Sequence, residues 1–323
     1  MFPAIFSRSE TQRASRLLYI VSPKARLQGG PGLETSQLSF SCGFRRFCSM
    51  ESSSTKNADG CREGAFVQKL FVMRHGERMD NYDPQWIRTA LMPWDPPLTD
   101  NGKIQAWNAG KRLRMEGANI TRVFCSPFLR CVQTTAEVVK GLCATEEYEN
   151  APSGKGVAID PSKVKVSLEL GLCEVLNHLA IRIPPSSPDI SFTLDRSELE
   201  AILPAGTVDH SVEPVLKELP KWEETTEAAH KRYANTFQVL ADRFPQENVL
   251  CVTHGEGVGV SVSAHKEDIY VYMADYCAFS HAQRTIFSCL TDGVEAGKFE
   301  VLTDSGQSGI LYHFRGTSRS EDY

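Results

Sequence analysis

The stretch Lys69-Leu70-Phe71-Val72-Met73-Arg74-His75-Gly76-Glu77-Arg78 decides the fold. Its first half is a continuous apolar run, and its second half is a charged cluster holding one histidine and one glycine. A short strand that is apolar at successive positions must be covered on both faces, as strands of a parallel sheet flanked by helices are. The polar cluster then falls where such a strand ends.

The same pattern recurs on either side. Val123-Phe124-Cys125 reads as a second buried strand and ends at Ser126-Pro127-Phe128-Leu129-Arg130. A helix follows to about Leu142, with Leu129, Val132, Ala136 and Val139 on one side. Lys163 to Leu170 alternates and reads as a third strand. Asn248 to Thr253 is a fourth, followed by His254-Gly255-Glu256-Gly257. Thr99 suits the N-cap of a helix over about 100–116, with Ile104, Trp107, Ala109 and Leu113 on its apolar face. A long helix is expected over about 221–243, stopped by Pro245, and strands over Thr285–Leu290 and Lys298–Leu302. Residues 79–98 read as a loop, and proline-rich 171–211 as a long insertion walling the site. Alternating strands and helices imply an α/β fold: three layers, with a mostly parallel central sheet between helices on both faces. Ligands of such folds bind at the carboxyl ends of the strands, where each polar cluster lies.

Composition narrows the class. The chain has 323 residues, 41% hydrophobic and 23% charged, with a net charge of −5, and no apolar run long enough to span a bilayer. Neither nucleic acid nor membrane is indicated as a partner. Charge is uneven: residues 1–50 hold seven of the 35 basic residues but only two of the 40 acidic ones, with many Ser and Gly. That composition fits an organellar transit peptide or a disordered extension. Residues 1–64 are therefore set apart as a leader, 65–315 as the folded domain and 316–323 as a tail. The location is expected to be intracellular: cytoplasmic, or plastid or mitochondrial if 1–49 is a transit peptide. The ten cysteines include no Cys-x-x-Cys pair and read as buried small hydrophobes in a reducing compartment.

If these strands are neighbours, two histidines and several arginines share one pocket. Arginine forks match phosphate oxygens and repel one another unless an anion lies between them. Their charge also keeps a nearby imidazole neutral, and a neutral imidazole can attack phosphorus. Gly76 is expected to let the backbone turn sharply beside the phosphate. Other motifs fail. The glycines at 255, 257 and 259 lack the third glycine of a dinucleotide fingerprint, since position 260 is Val260. Ser126 is in no Gly-x-Ser-x-Gly elbow. A metal between His75 and His254 would be repelled by the arginines beside them. Neither a metal nor a cofactor is expected.

The Arg74-His75-Gly76 triplet with Arg130 and His254 resembles the phosphate pocket of the histidine phosphatase (phosphoglycerate-mutase-like) superfamily over roughly 68–303. Within it the chain is similar to the phosphatase domain of the TULA-type (ubiquitin-associated and SH3-containing) proteins. The likeness rests on Arg74-His-Gly-Glu-Arg78, Asp95-Pro-Pro-Leu-Thr99, Ser126-Pro-x-Leu-Arg-Cys131 with Gln133-Thr134, and Gly171-Leu-x-Glu174. The resemblance implies a phosphoglycerate-mutase-like fold, His75 as nucleophile, Arg74, Arg130 and His254 as phosphate ligands, and Arg78 as a further contact. Glu174 or Glu169 would be the general acid, the TULA-like phrase favouring Glu174 and the mutase branch Glu169. The expected function is a metal-independent phosphomonoesterase working through a phosphohistidine, acting on a small phosphorylated substrate or a phosphopeptide. The alternatives are a phosphoglycerate-type mutase and a phosphate-binding scaffold without turnover. A glycolytic mutase is disfavoured, because Glu77-Arg78-Met79-Asp80 stands where mutases carry Ser and Trp-Asn. Neither substrate identity nor oligomeric state is legible.

Overall fold

The computed structural model describes residues 62–148, 150–185, 192–289 and 293–315. The leader up to residue 61 and the tail from 316, with the readings placed on them, lie outside the described residues. The strands are β1 (Arg62–Arg74), β2 (Ile120–Cys125), β3 (Lys165–Leu168), β4 (Asn248–Thr253), β5 (Ile269–Ala274), β6 (Phe279–Cys289), β7 (Gly293–Ala296), β8 (Glu300–Val301) and β9 (Ile310–Phe314). The α-helices are α1 (Met79–Tyr82), α2 (Asp100–Met115), α3 (Leu129–Cys143), α4 (Arg196–Glu200), α5 (Thr226–Arg243) and α6 (Gly255–Ser263).

The central sheet runs β3-β2-β4-β1-β6-β7, with β8 also on β6. β3, β2, β4 and β1 pair in parallel, as expected. The antiparallel side, where β1 pairs with β6, was not specified by the sequence reading. β5 and β9 form a separate antiparallel pair.

The apolar run of β1 is explained by what covers it. Phe71 and Met73 pack into one core with Ala106 and Leu113 of α2 and Val132 and Val139 of α3. Leu70 and Val72 pack into the other with Tyr233 and Phe237 of α5 and Val258 and Val262 of α6. Successive strand residues therefore serve opposite layers, and helices cover both faces. A third cluster of Trp94, Phe128, Cys173, Leu176 and Ile181 ties residues 79–98 to the 171–185 segment.

Local signals largely hold. Thr99 Oγ1 accepts from Gly102 N and caps α2. On that helix Trp107, Ala109 and Leu113 are buried, but Ile104 is 40% exposed, so the core-facing stripe excludes it. α5 starts at Thr226 rather than near 221, because Thr225 caps it by accepting from Ala228 N. β1 begins at Arg62, and β3 is shorter than the alternating run. Residues 79–98 hold α1 and a single 3-10 turn, Trp86–Arg88. Part of the 171–211 insertion seals the edge of the sheet: Val166 N donates to Thr207 O and Asp209 N to Val166 O, 2.8 Å each. Cys125, Cys131, Cys143, Cys173, Cys251 and Cys277 are buried free thiols. No described helix is long and apolar enough to cross a membrane.

Candidate active site

Strand register brings the three clusters together. Arg74 pairs with Thr253, and Cys125 with Val252, so the residues just beyond all leave the sheet on one edge. His75 N donates to Thr253 O and Ser126 N to Val252 O, both 3.0 Å, extending the ladder by one step. The rings of His75 and His254 stand edge to face with centroids 5.5 Å apart. His75 borders a hollow of about 220 Å³ whose lining also includes Arg74, Arg78 and Glu174, while His254 is fully buried against it through the His75 ring.

His75 is buried, and its Nδ1 lies 2.8 Å from the Gly76 carbonyl oxygen. A carbonyl can only accept, so Nδ1 carries the hydrogen and Nε2 the lone pair. Burial, then the charges of Arg130 and Arg74, hold its pKa well below the ordinary histidine value. The ring is a neutral base with one defined reactive nitrogen.

Gly76 is required for a different reason from the one expected. A Cβ there would lie 2.6 Å from the carbonyl oxygen of Gly102. The loop after β1 is pressed on the first turn of α2, and close backbone approach excludes a side chain. Gly76 N also donates to Thr134 Oγ1 at 3.0 Å, tying the loop to α3.

Arg130 opens α3 and is almost fully buried. Its Nη2 reaches Glu174 Oε2 and His254 Nδ1, 3.2 Å each, and its Nη1 lies 3.4 Å from Asp95 Oδ1. Its Nε has no acceptor among the described residues. His254 is fully buried, with Nε2 at 2.9 Å from Ser126 Oγ. Burial lowers its pKa to about 4, against the opposing pull of Glu174 and with help from Arg130. Its Nδ1 faces both the Arg130 guanidinium and the Glu174 carboxylate, 3.2 Å from each. Burial alone would raise the Glu174 pKa. His254 and Arg130 overcome this and hold the carboxyl below the usual carboxylate range.

Arg74 donates Nη1–H to Ala274 O at 2.5 Å and stacks over the Tyr276 ring at 4.6 Å. Asn81 Nδ2 in turn donates to Tyr276 Oη at 2.8 Å. Arg78 lines the hollow and is held in bidentate fashion by Asp80, at 2.9 and 2.6 Å.

Of the two acid candidates, the structure brings only Glu174 to the hollow. Glu169 is buried elsewhere: its carboxylate accepts from Gly171 N, Val215 N and Leu216 N at 2.8, 2.6 and 3.0 Å. The Glu174 segment is held from behind. Arg232 pairs with Glu224 and donates to the carbonyls of Gly171 and Cys173, while Tyr233 Oη donates to Cys173 O at 2.6 Å.

Several neighbours escaped sequence reasoning. Asp95 takes the Leu129 N–H on both oxygens at 3.0 Å and faces Arg130, a role its Asp-Pro-Pro setting does not announce. Tyr276 sits in a segment with no motif. A signal was present for neither Arg232 nor Glu224, whose part is played through backbone carbonyls.

The description "Histidine phosphatase superfamily (branch 1)" belongs to a family model that matches residues 70–150, the span from β1 through α3. Residues 70–150 therefore carry a segment similar to the histidine phosphatase superfamily. The chain is similar to the ecdysteroid-phosphate phosphatase of Drosophila melanogaster, 25% identical over 272 residues, covering 73% of this chain and 32% of the relative. It is also similar to the ubiquitin-associated and SH3 domain-containing protein B of Homo sapiens, 38% identical over 100 residues, covering 23% of this chain and 15% of that one. The chain thus spans about a third or less of the length of these curated relatives. A crystal structure of the ecdysone phosphate phosphatase of Bombyx mori with tungstate matches the fold with a TM-score of 0.52 at 24% identity, covering 73% of this chain and 92% of that one.

Proposed function

We propose that this chain is a metal-independent phosphomonoesterase that works through a phosphohistidine on His75 Nε2. The observation that carries the reading is a tautomer-locked, neutral His75 that shares a hollow with Glu174, whose carboxylate is held by Arg130 and His254. The relatives named as phosphatases support the same activity for this chain.

In the proposed cycle the Nε2 lone pair attacks phosphorus and the bond to the leaving oxygen breaks. The phosphorylated imidazole becomes cationic, and its Nδ1–H remains on the Gly76 carbonyl, which stabilises that charge. Arg74, Arg130 and His254 bind the phosphate, with Arg78 as a further contact. Glu174 is ionised in the empty pocket, but an arriving phosphate dianion adds negative charge beside it and raises its affinity for a proton. It therefore enters the complex as the acid that protonates the leaving oxygen. Water then attacks phosphorus, the Glu174 carboxylate takes the water proton, and the P–N electron pair returns to Nε2. The substrate is a small phosphate ester or a phosphopeptide. The chain is proposed to act without membrane or nucleic acid partners, inside the cell.

The test is hydrolysis of p-nitrophenyl phosphate in the presence of EDTA, with acid-labile phosphate trapped on the protein. Turnover with label on His75 is expected. Turnover abolished by EDTA, or label elsewhere, overturns the reading. Phosphate exchange between sugar acids without release would establish a mutase instead, and binding without either reaction a scaffold.

A further inference from the structure

The hollow extends past the phosphate-binding end, and its outer wall has a chemistry of its own. Thr226 and His230 stand one turn apart on the same face of α5. Glu256 lies in the first turn of α6, and Tyr270 on β5. The loop after Glu174 adds Val175, Leu179 and Ala180. Asn177 also borders the hollow, but its side chain is committed to the loop: Oδ1 accepts from Leu179 N and Ala180 N, and Nδ2 donates to Glu224 O.

The polar side chains left to meet a leaving group are two hydroxyls, Thr226 and Tyr270, and the His230–Glu256 pair. His230 Nε2 and Glu256 Oε1 are 2.5 Å apart. A carboxylate accepts only, so Nε2 donates to it. The second oxygen of Glu256 is a further acceptor. Among the described lining residues, the arginines are Arg74 and Arg78, both at the phosphate end, and there is no lysine. A second acid on the substrate would find no cation in the outer wall and would meet the Glu256 carboxylate instead.

We propose that the His230–Glu256 pair is a specificity-determining element that selects phosphate esters of uncharged, partly apolar alcohols or phenols bearing a hydroxyl or amine donor, and rejects leaving groups bearing a carboxylate or second phosphate. This rests on the phosphatase reading above. The donor satisfies the Glu256 carboxylate that His230 holds in place, while the apolar body covers Val175, Leu179 and Ala180. Rejection is electrostatic and follows from the sign of the wall rather than its shape.

The experiment compares kcat/KM for phenyl phosphate and its para-hydroxymethyl and para-carboxylate derivatives. The wild type is expected to prefer the hydroxymethyl ester over the carboxylate by about tenfold or more, the discrimination of one charge repulsion in a partly exposed site. Glu256→Gln should narrow that ratio to about threefold, mainly by improving the carboxylate ester. Thr226→Lys, at an exposed position of α5, should narrow it by supplying a cation and serves if the first variant does not fold. A ratio unchanged in the folded variants, or a wild type that prefers the carboxylate ester, overturns the specificity while leaving the phosphatase in place. Failure of the wild type to hydrolyse phenyl phosphate overturns the phosphatase reading, and this assignment with it.

Discussion

Toward the amino end of β1, Gln68 is fully buried, and its Nε2 donates to the carbonyls of Ala241, Phe244 and Glu247 at 2.9, 2.7 and 3.2 Å. Its Oε1 accepts from Arg284 Nε at 2.7 Å, and Arg284 Nη1 reaches Asp242 at 2.6 Å. Asn248, at the start of β4, donates to the carbonyls of Ala118 and Asn119 and accepts from Lys69 N. At the carboxyl end of the same strands, arginines and imidazoles are also buried, but Arg74, His75 and Arg78 border a hollow. The first network closes loops and helix ends with fixed backbone partners. The second gathers arginines and imidazoles beside a hollow that an anion can enter, and burial with the arginine charges holds both imidazoles below the ordinary histidine range. Burial of polar groups is thus common to both ends. What distinguishes the site is convergence of side chains on empty space, with proton affinities displaced.

The sharpest way to break this contrast is at His75. His75→Ala should reduce turnover of p-nitrophenyl phosphate by about a thousandfold or more, because no other group supplies the attacking nitrogen. Thermal unfolding should shift little, since the ring hydrogen-bonds to its own neighbour, Gly76. Retention of more than a few per cent of the rate would remove His75 from the nucleophile's place.

The two carboxylates carry the contrast to a finer scale. Glu174→Gln should lower kcat about a hundredfold on alkyl phosphates and less on p-nitrophenyl phosphate, whose leaving group needs little protonation. Glu169→Gln should do the opposite. It sets an amide against three backbone N–H groups and should cost about 2–3 kcal/mol of stability in urea unfolding, with kcat retained. If Glu169→Gln proved the slower enzyme at full stability, the assignment of the acid would reverse.

Gln68→Ala probes the other end. It strips Arg284 Nε and the carbonyls at the end of α5 of their partner, a loss of about 2–4 kcal/mol in stability. kcat/KM should stay within about twofold, since the network is remote from the chemistry. A large kinetic effect with unchanged stability would dissolve the distinction between the ends.

Much of the carboxyl end was legible in sequence because its chemistry is carried by side chains at strand ends, in segments with a repeated apolar-then-polar grammar. His75, Arg130 and His254 could be placed on one edge from that grammar alone. What could not be read depends on register and on backbone partners. Glu169 and Glu174 are alike in sequence, and only the course of the chain at 215–216 claims Glu169 for structure. Gly76 looked like a turn residue, whereas its constraint comes from Gly102, 26 positions on. Tyr276 reaches Arg74 from a turn in which Cys277 adopts a left-handed backbone with φ 57°, which no local motif signals. β5 and β9 pair across a long separation with mixed composition, so neither shows the clean alternation that marks a half-buried strand.

The smallest effect tests how the site end holds its own charge. Asp95 is nearly fully buried between Leu129 N and Arg130, and desolvation lifts its pKa to about 6 despite the opposing charge of Arg130. The unfolded carboxyl titrates near 3.9, so across roughly pH 4 to 6 the folded state binds the extra proton. Its contribution to stability is complete below that window and is lost as pH rises through about 6. Between about pH 5 and pH 7 the loss is about 1 kcal/mol, and Asp95→Asn, which cannot titrate, should not show it. Urea unfolding of wild type and variant at the two pH values should therefore diverge by that amount, the variant gaining relative stability at the higher one. Parallel stability curves would mean that Arg130 fully offsets the desolvation. The carboxyl end would then be as well compensated as the Gln68 network, and the electrostatic difference between the two ends would lie in the imidazoles alone.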